Sequence, residues 1–478
     1  MPKKNQTRKK YNTNLCDDKM TFEECELAIL RHAVDETEKL QGEKVVKNET
    51  VKKMILIVEN FIRKKRCVCY GGTAINNILP TYAQFYNKDI EIPDYDFYSA
   101  NALEDAKELA DIYHKEGYVE VEAKAGMHSG TFKVFVNFIP VADITQMNQE
   151  LFRAISKEAV VIAGIRYAPP DFLRMAMFLE LSRPAGDVSR WEKVMKRITL
   201  LNKHYPMKTP KDCAEVDFQR KMESHADDSE RLYVTIRDAL IDQSVVFFGG
   251  YATSLYSKYM PEEERRLVEK IPDFDILAED PHTCASILKE QLHREGFKRI
   301  NIVKHDAIGE IIPEHVEILV DKETMAFIYK PIACHSYNTI QLDHKEIRVA
   351  TIDTILSFYL SFMYADIGYD KDRLVCMAKF LFDVEQKNRL EQRGLLKRFS
   401  IKCYGKQPTI EDIRAEKSEK MKELKKTLQK GKKTREYEMW FLKYNPAEKK
   451  TRNNEPMRHK TYRNERALRV RKSSGFLV

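Results

Sequence analysis

The chain has 478 residues, of which 43% are hydrophobic, 32% charged and 10% aromatic, with 17 Gly and 17 Pro; this composition excludes a fibrous or largely disordered protein and a lone binding module. The net charge of +8 is uneven: residues 391–478 hold 26 Lys and Arg against 11 Asp and Glu, a net +15, while residues 1–390 hold 55 against 62, a net −7. No apolar run approaches the ~18 residues of a membrane-spanning helix, the basic start MPKKNQTRKKYN has no apolar leader core, and nine scattered cysteines without a CxxC pair fit neither a disulfide framework nor a zinc ribbon, so an intracellular protein without a membrane span is expected.

In chain order, residues 1–50 read as a basic, helical segment. CVCY (67–70) reads as a short strand, Gly71-Gly72 as a tight turn and TAINNIL (73–79) as the start of a helix. DIEIPDYDFYS (89–99) is then a strand, ALEDAKELADIYHKEG (102–117) an amphipathic helix with a Gly C-cap, and YVEVEAK (118–124) and TFKVFVNFIPVADIT (131–145) strands. PPDFLRMAMFLELSRP (169–184) and SRWEKVMKRITLLNKHY (189–205) are helical, with Trp191, Val194, Met195, Ile198 and Leu201 on one stripe. This order predicts an α/β (α+β) unit built on a mixed sheet, over residues 51–210.

The next part of the chain repeats the first. CVCYGGTAINNILPTYAQFYNKDIEIPDYDFYS (67–99) and VVFFGGYATSLYSKYMPEEERRLVEKIPDFDIL (245–277) share a strand-like run, an aromatic, Gly-Gly, a helical stretch and Ile-Pro-Asp-aromatic-Asp. Gly72 and Gly250 are 178 apart, Asp94 and Asp273 are 179 apart, and IRYAPPDFL (165–173) returns as IRVATIDTI (347–355) at 182. A tandem duplication follows, with a second unit over 211–390 and a basic helical segment and tail over 391–478. That last segment is either a solvated helix and tail or a polyanion-binding grip. Its Tyr404, Tyr437, Trp440, Phe441, Tyr444 and Tyr462 are placed either to stack on unpaired bases or to pack it onto the body.

Asp94 and Asp96 lie two apart on a predicted strand, so both side chains leave one face. Two carboxylates that close repel each other unless a cation lies between them, and hard oxygen ligands suit Mg²⁺ with phosphate oxygens. Asp143, in VADIT, brings a third carboxylate. Gly71 and Gly72 open a helix where backbone N–H groups and the helix dipole favour phosphate. Taken together, the set describes a nucleoside triphosphate held between a glycine loop and two metal ions.

This pattern resembles the nucleotidyltransferase superfamily that includes DNA polymerase beta. The wording YGGTAINN, PDYDFYS, ADIT and RWEKVMKRITLLNKHYP resembles the poly(A) polymerase catalytic subunits of large cytoplasmic DNA viruses, of poxvirus and giant-virus type, over roughly residues 50–390. The resemblance implies two nucleotidyltransferase-like domains in tandem. It also implies metal-binding, catalytic carboxylates at Asp94, Asp96 and Asp143, and a triphosphate loop at Gly71, Gly72 and Thr73. The implied reaction is attack of an RNA 3′-hydroxyl on the α-phosphate of ATP, with Mg²⁺ or Mn²⁺, in mRNA polyadenylation by a viral protein of the host cytoplasm or virion. A second copy of the chain or a viral processivity subunit is the partner class it leaves open. In the second copy Gly249, Gly250, Asp273 and Asp275 recur, and Glu317 in HVEILV is expected in the place of Asp143, in a unit without chemistry. Two other readings stay open: a transferase adding another nucleotide to RNA or a small molecule, and an inactive RNA-binding or processivity subunit.

Overall fold

The computed structural model describes residues 11–87, 89–209, 212–216, 218, 228–268, 274–342, 344–365, 369–427 and 434–451. Seven strands belong to the first repeat: β1 (Val68–Cys69), β2 (Asp96–Ser99), β3 (Val121–Ala125), β4 (Thr131–Val136), β5 (Ile139–Gln146), β6 (Val160–Ile162) and β7 (Ile165–Tyr167). Seven belong to the second: β8 (Val246–Phe247), β9 (Phe274–Leu277), β10 (Ile300–His305), β11 (His315–Val320), β12 (Glu323–Tyr329), β13 (His335–Leu342) and β14 (Lys345–Ala350). Two short strands follow, β15 (Cys403–Tyr404) and β16 (Lys443–Tyr444).

The sheets run β16-β3-β4-β5-β2-β1-β7-β6 and β10-β11-β12-β9-β8-β14-β13-β15, so seven consecutive strands have the same order in both. Both are mixed: β2 pairs β5 in parallel and β1 pairs β2 antiparallel, as β9 does with β12 and β8 with β9. The duplication read from the sequence is therefore a duplication in space.

The predicted strand 131–145 is a hairpin. Asn137 (φ 48°) and Phe138 (φ 66°) both adopt positive φ, the geometry of a type I′ turn. Because Phe is a rare turn residue there, the sequence hides the break. Asp321 and Lys322 make the equivalent turn in the second sheet. In β4 the period-two pattern is plain: Phe132, Val134 and Val136 are fully buried while Thr131, Lys133 and Phe135 reach the other face. The helix Ala102–Lys115 lays Leu103, Ala106, Leu109, Ala110 and Tyr113 on the sheet and stops before Gly117, at φ 93°.

The halves meet through equivalent helices. Pro170–Leu181 packs along Ile352–Phe362, Phe172 meets Tyr364 edge-on at 5.3 Å, and the Ser336 N–H donates to the Ser182 carbonyl at 2.8 Å. One continuous apolar core results.

The C-terminal segment departs from the grip reading as far as Thr451. β15 extends the second sheet beside β13, and β16 extends the first beside β3. Leu442 is buried, the Tyr444 hydroxyl donates to Asp111 at 2.5 Å, Lys107 pairs with Glu438 at 2.7 Å, and Tyr437, Trp440 and Phe441 are half-buried. These aromatics pack the segment onto the body, the usual fate of aromatics on an amphipathic segment. Tyr462 lies outside the described residues. Truncation at residue 430 should therefore lower the melting temperature; losing the buried Leu442 side chain alone costs about 2 kcal/mol, and an unchanged melt would show that the strap carries no stability.

Cysteine pairing also differs from expectation. Cys16–Cys25, Cys213–Cys376 and Cys334–Cys403 are disulfides, separated by 9, 163 and 69 residues, so no local spacing announces them. Cys67, Cys69 and Cys284 are buried thiols, as expected.

Candidate active site

β1 runs straight into the site. The Tyr70 N–H donates to the Asp96 carbonyl at 2.9 Å, tying the end of β1 to the start of β2. Gly71 follows at φ 73°, and a Cβ there would lie 2.7 Å from Asp96 Oδ2. Both conformation and closeness to the carboxylate demand glycine. Gly71 also opens the helix Gly71–Ile78, whose first-turn N–H groups lack intrahelical partners.

The strand predicted over 89–99 begins only at Asp96, so Asp94 lies in the loop before it. Thr73 shapes that loop: its buried hydroxyl donates to the Asp94 carbonyl at 2.7 Å, which leaves its backbone N–H as the group that could meet a phosphate. Asn76 accepts from the N–H groups of Phe85 and Tyr86 at 2.8 and 2.9 Å. Between this loop and the helix is a cavity of about 310 Å³, lined by Thr73, Asn76, Asn77, Tyr86, Glu91, Ile92, Pro93 and Asp94.

Asp143 on β5 is the register partner of Asp96, and Lys133 on β4 is the partner of Asp143 and its ion-pair partner. Burial pushes the Asp96 carboxyl up to about 7, with Asp94 and Asp143 adding to the rise and Lys133 and Arg190 offsetting part of it. Asp94 is exposed as a residue and lines the cavity, and its carboxyl is raised by burial and by Asp143. The three predicted carboxylates thus share one electrostatic site. Among the described residues no three His, Cys, Asp or Glu side chains converge closely enough to hold a metal ion, and Lys133 occupies the Asp143 carboxylate.

The second copy departs from the first at its third position. The Phe248 N–H donates to the Asp275 carbonyl at 2.9 Å, reproducing Tyr70 and Asp96. The register partner of Asp275 is Phe327 on β12, and Glu317 on β11 is the partner of Phe327. Glu317 therefore stands where Lys133 does, and the position of Asp143 holds a phenylalanine. Glu317 is engaged by the Thr324 hydroxyl at 2.5 Å and by His305 Nε2 at 2.9 Å, and Asp275 accepts from the Tyr369 hydroxyl at 2.5 Å. Asp273 lies outside the described residues.

Residues 56–187 match the family model of the poly(A) polymerase catalytic subunit. This part of the chain is similar to that family. A candidate poly(A) polymerase catalytic subunit of African swine fever virus (strain Badajoz 1971 Vero-adapted) is 33% identical over 157 residues, 32% of this chain and 33% of that one. Its counterpart in Acanthamoeba polyphaga mimivirus is 34% identical over 158 residues, 32% of this chain and 26% of that one. The matched stretch therefore spans a third or less of these relatives. The fold likeness reaches further: the crystal structure of the Megavirus polyadenylate synthase superposes with a TM-score of 0.74 at 20% identity, over 95% of this chain and 90% of that one. Gly71, Gly72, Thr73, Asp94, Asp96 and Asp143 all fall within the stretch that matches the poly(A) polymerase family.

Sequence reading missed Lys133, Tyr86 and Arg197. Lys133 left a signal, as a lone cation on the alternating strand TFKVFV. Arg197 left one too: it falls between Val194 and Leu201 on the apolar face of the helix Trp191–His204. No membrane-crossing helix, long and apolar enough, occurs among the described residues.

Proposed function

We propose that the chain adds AMP from ATP to RNA 3′ ends, with the chemistry in the first unit (51–210) and none in the second (211–390). The observation that carries this reading is the trio of Asp94, Asp96 and Asp143, in which burial first, and then the charges of Asp94 and Asp143, lift Asp96 to about 7, inside a segment that matches the poly(A) polymerase family model.

The donor set fits divalent ions. Lys133 pairs with Asp143 alone, which leaves Asp94 and Asp96 without an ion-pair partner among the described residues, and hard oxygens beside a phosphate loop suit Mg²⁺ or Mn²⁺. Asp94, Asp96 and Asp143 would hold them after drawing closer together than they stand here, with Lys133 displaced from Asp143. When bound, such ions lower the pKa of an attacking hydroxyl and neutralise a departing pyrophosphate. The protein's own residues do the rest. Gly71 and Gly72 present backbone N–H groups to phosphate, Thr73 keeps the Asp94 loop at the cavity edge, and Lys133 holds Asp143 in the free protein. The basic residues beyond 451, which lie outside the described residues, are the part of the 391–478 segment left to contact RNA phosphates by counterion release.

Incubating the full chain with a short RNA, Mg²⁺ and each nucleoside triphosphate separately tests this. ATP-only ladders support it, a single addition or another base points to a different transferase, and no extension sinks it. Extension that is second order in enzyme would implicate a second chain.

Asp275→Asn should leave nucleotide addition within twofold of wild type, because Phe327 denies the second site its third carboxylate while Asn keeps the bond from Tyr369. A loss as deep as that of an Asp96 variant would give the second unit a chemical role.

A further inference from the structure

We propose that the apolar groove between the helix Trp191–His204 and Phe399 is a stacking site for an unpaired base of the RNA strand, upstream of its growing 3′ end. This adds a contact for the RNA to the function proposed above and rests on that function.

The groove encloses about 800 Å³ and is lined by Phe85, Trp191, Met195, Thr199, Leu200 and Phe399. Its three aromatic residues come from distant parts of the chain, and each is fixed in place. The Trp191 indole N–H donates to the Glu180 carbonyl at 3.0 Å, and the Phe85 backbone N–H donates to the Asn76 side chain at 2.8 Å. Phe399 stands between Arg398, which is bound to Asp353, and Ser400, whose hydroxyl donates to the Tyr337 carbonyl at 2.7 Å. A guanidinium lies over each phenylalanine ring, Arg197 over Phe85 at 5.2 Å and Arg398 over Phe399 at 5.3 Å. Trp191 and Phe399 meet at 5.9 Å with their planes tilted by 37°, so neither ring covers the other face to face, and Phe399 stays 38% exposed. Rings held this firmly at a surface present a preformed flat apolar face, which costs little ordering entropy to bind.

The nature of the occupant follows from the polar groups around that face. The Thr199 hydroxyl donates to the Met195 carbonyl at 2.8 Å, and Lys196 pairs with Glu192 at 2.6 Å, so these groups are engaged within the protein. Such a floor takes the π-face of a base and tolerates any sequence. The walls are basic. The helix Trp191–His204 carries Lys193, Lys196, Arg197 and Lys203 against Glu192, and residues 396–402 carry Lys397, Arg398 and Lys402 with no acid, although residues 1–390 have a net charge of −7. Lys196, Thr199 and Lys203 follow one another at helical spacings of three and four, on the face that lines the groove. The exposed Lys196–Glu192 pair is worth little, so Lys196 is free to turn to a phosphate. Apolar rings rimmed by cations suit single-stranded RNA.

Phe85 walls this groove, and its neighbour Tyr86 walls the cavity that Asp94 lines. A strand with its 3′ end at the carboxylates and an upstream base in the groove would cross that shared wall.

Tryptophan fluorescence tests the proposal, because Trp191 and Trp440 are the chain's two tryptophans and Trp440→Phe leaves Trp191 as the reporter. In the full chain carrying Trp440→Phe, short oligoadenylate and oligouridylate should both quench Trp191, with the same midpoint as their binding followed by anisotropy of a labelled strand. Phe399→Leu keeps apolar bulk and removes the ring; it should weaken both oligomers roughly fivefold or more without changing the slope of log affinity against log salt. Lys196→Ala with Lys203→Ala should flatten that slope by about 1.4, which is about 0.7 for each of two phosphate contacts. RNA that binds without quenching Trp191 overturns the proposal, as does unchanged affinity in Phe399→Leu. Quenching by ATP or AMP as tight as that by the oligomers also overturns it, since the groove would then hold the incoming nucleotide. If Phe399→Leu does not fold, an unchanged salt slope in the lysine variant overturns it. Quenching by RNA in a chain that extends no primer would sink the proposed function while the groove stands, and normal extension without quenching would do the reverse.

Discussion

Asp96→Asn is expected to abolish nucleotide addition while raising the melting temperature of the metal-free protein above neutral pH. The two effects have one cause. Asp96 sits beside Asp94 and Asp143, with Gly71 packed against its carboxylate, and its folded pKa of about 7 lies above the unfolded value near 4. Above pH 7 the carboxyl is ionised in both states, and the folded state bears the full cost of the charge. As pH falls through 7 the folded protein takes up the proton first, so this cost shrinks and is gone below about 4. The stabilisation by Asn, read from melting curves in EDTA, should therefore be largest near pH 8 and fade toward pH 4. The activity loss should exceed a hundredfold, about 2.7 kcal/mol of transition-state stabilisation, because Asn cannot neutralise a cation. A variant keeping more than a hundredth of the rate, or one less stable than wild type at pH 8, would take Asp96 out of the site. Asp94→Ala should match it in activity.

Arg398→Met should be the most destabilising single change outside the site. Arg398 Nε and Nη2 donate to Asp353 at 2.9 and 2.8 Å, and its Nη1 pairs with Glu385 at 3.0 Å. All three side chains are 6% exposed or less. Burial, with Asp353 adding to it, raises the Glu385 carboxyl to about 8 even though Arg398 opposes the rise. Removing the arginine strands two buried carboxylates, a loss of about 3–5 kcal/mol. It leaves the segment held at the Lys397 carbonyl by the 2.7 Å bond from Asn338. Because the stranded acids can take up protons, the destabilisation should be larger at pH 8 than at pH 5. A denaturant midpoint within about 1 kcal/mol of wild type would show that the cluster contributes little, and Arg398→Met combined with Asp353→Asn and Glu385→Gln should recover part of the loss.

What the residues determine on their own is local. The run into Gly71-Gly72, the Asp94–Asp96 spacing, the alternation in β4 and the helix Ala102–Lys115 each depend on neighbours within a few residues, where turn chemistry and periodicity act. The repeat offset was legible for the same reason, since a duplicated unit copies its local pattern, and the shared strand order of the two sheets follows it. Cross-strand partners are another matter, because register is set by pairing between segments far apart in the chain. Counting residues from Asp275 pointed to Glu317, whereas the sheet places Phe327 opposite Asp275 and moves Glu317 one strand over, to the position of Lys133. The same holds for Arg197 against Gly72, for Arg398 between Asp353 and Glu385, for the cystines, and for β16 laid beside β3 from more than 300 residues away. Each of these joins groups that no spacing relates, and only burial in a common core brings them together.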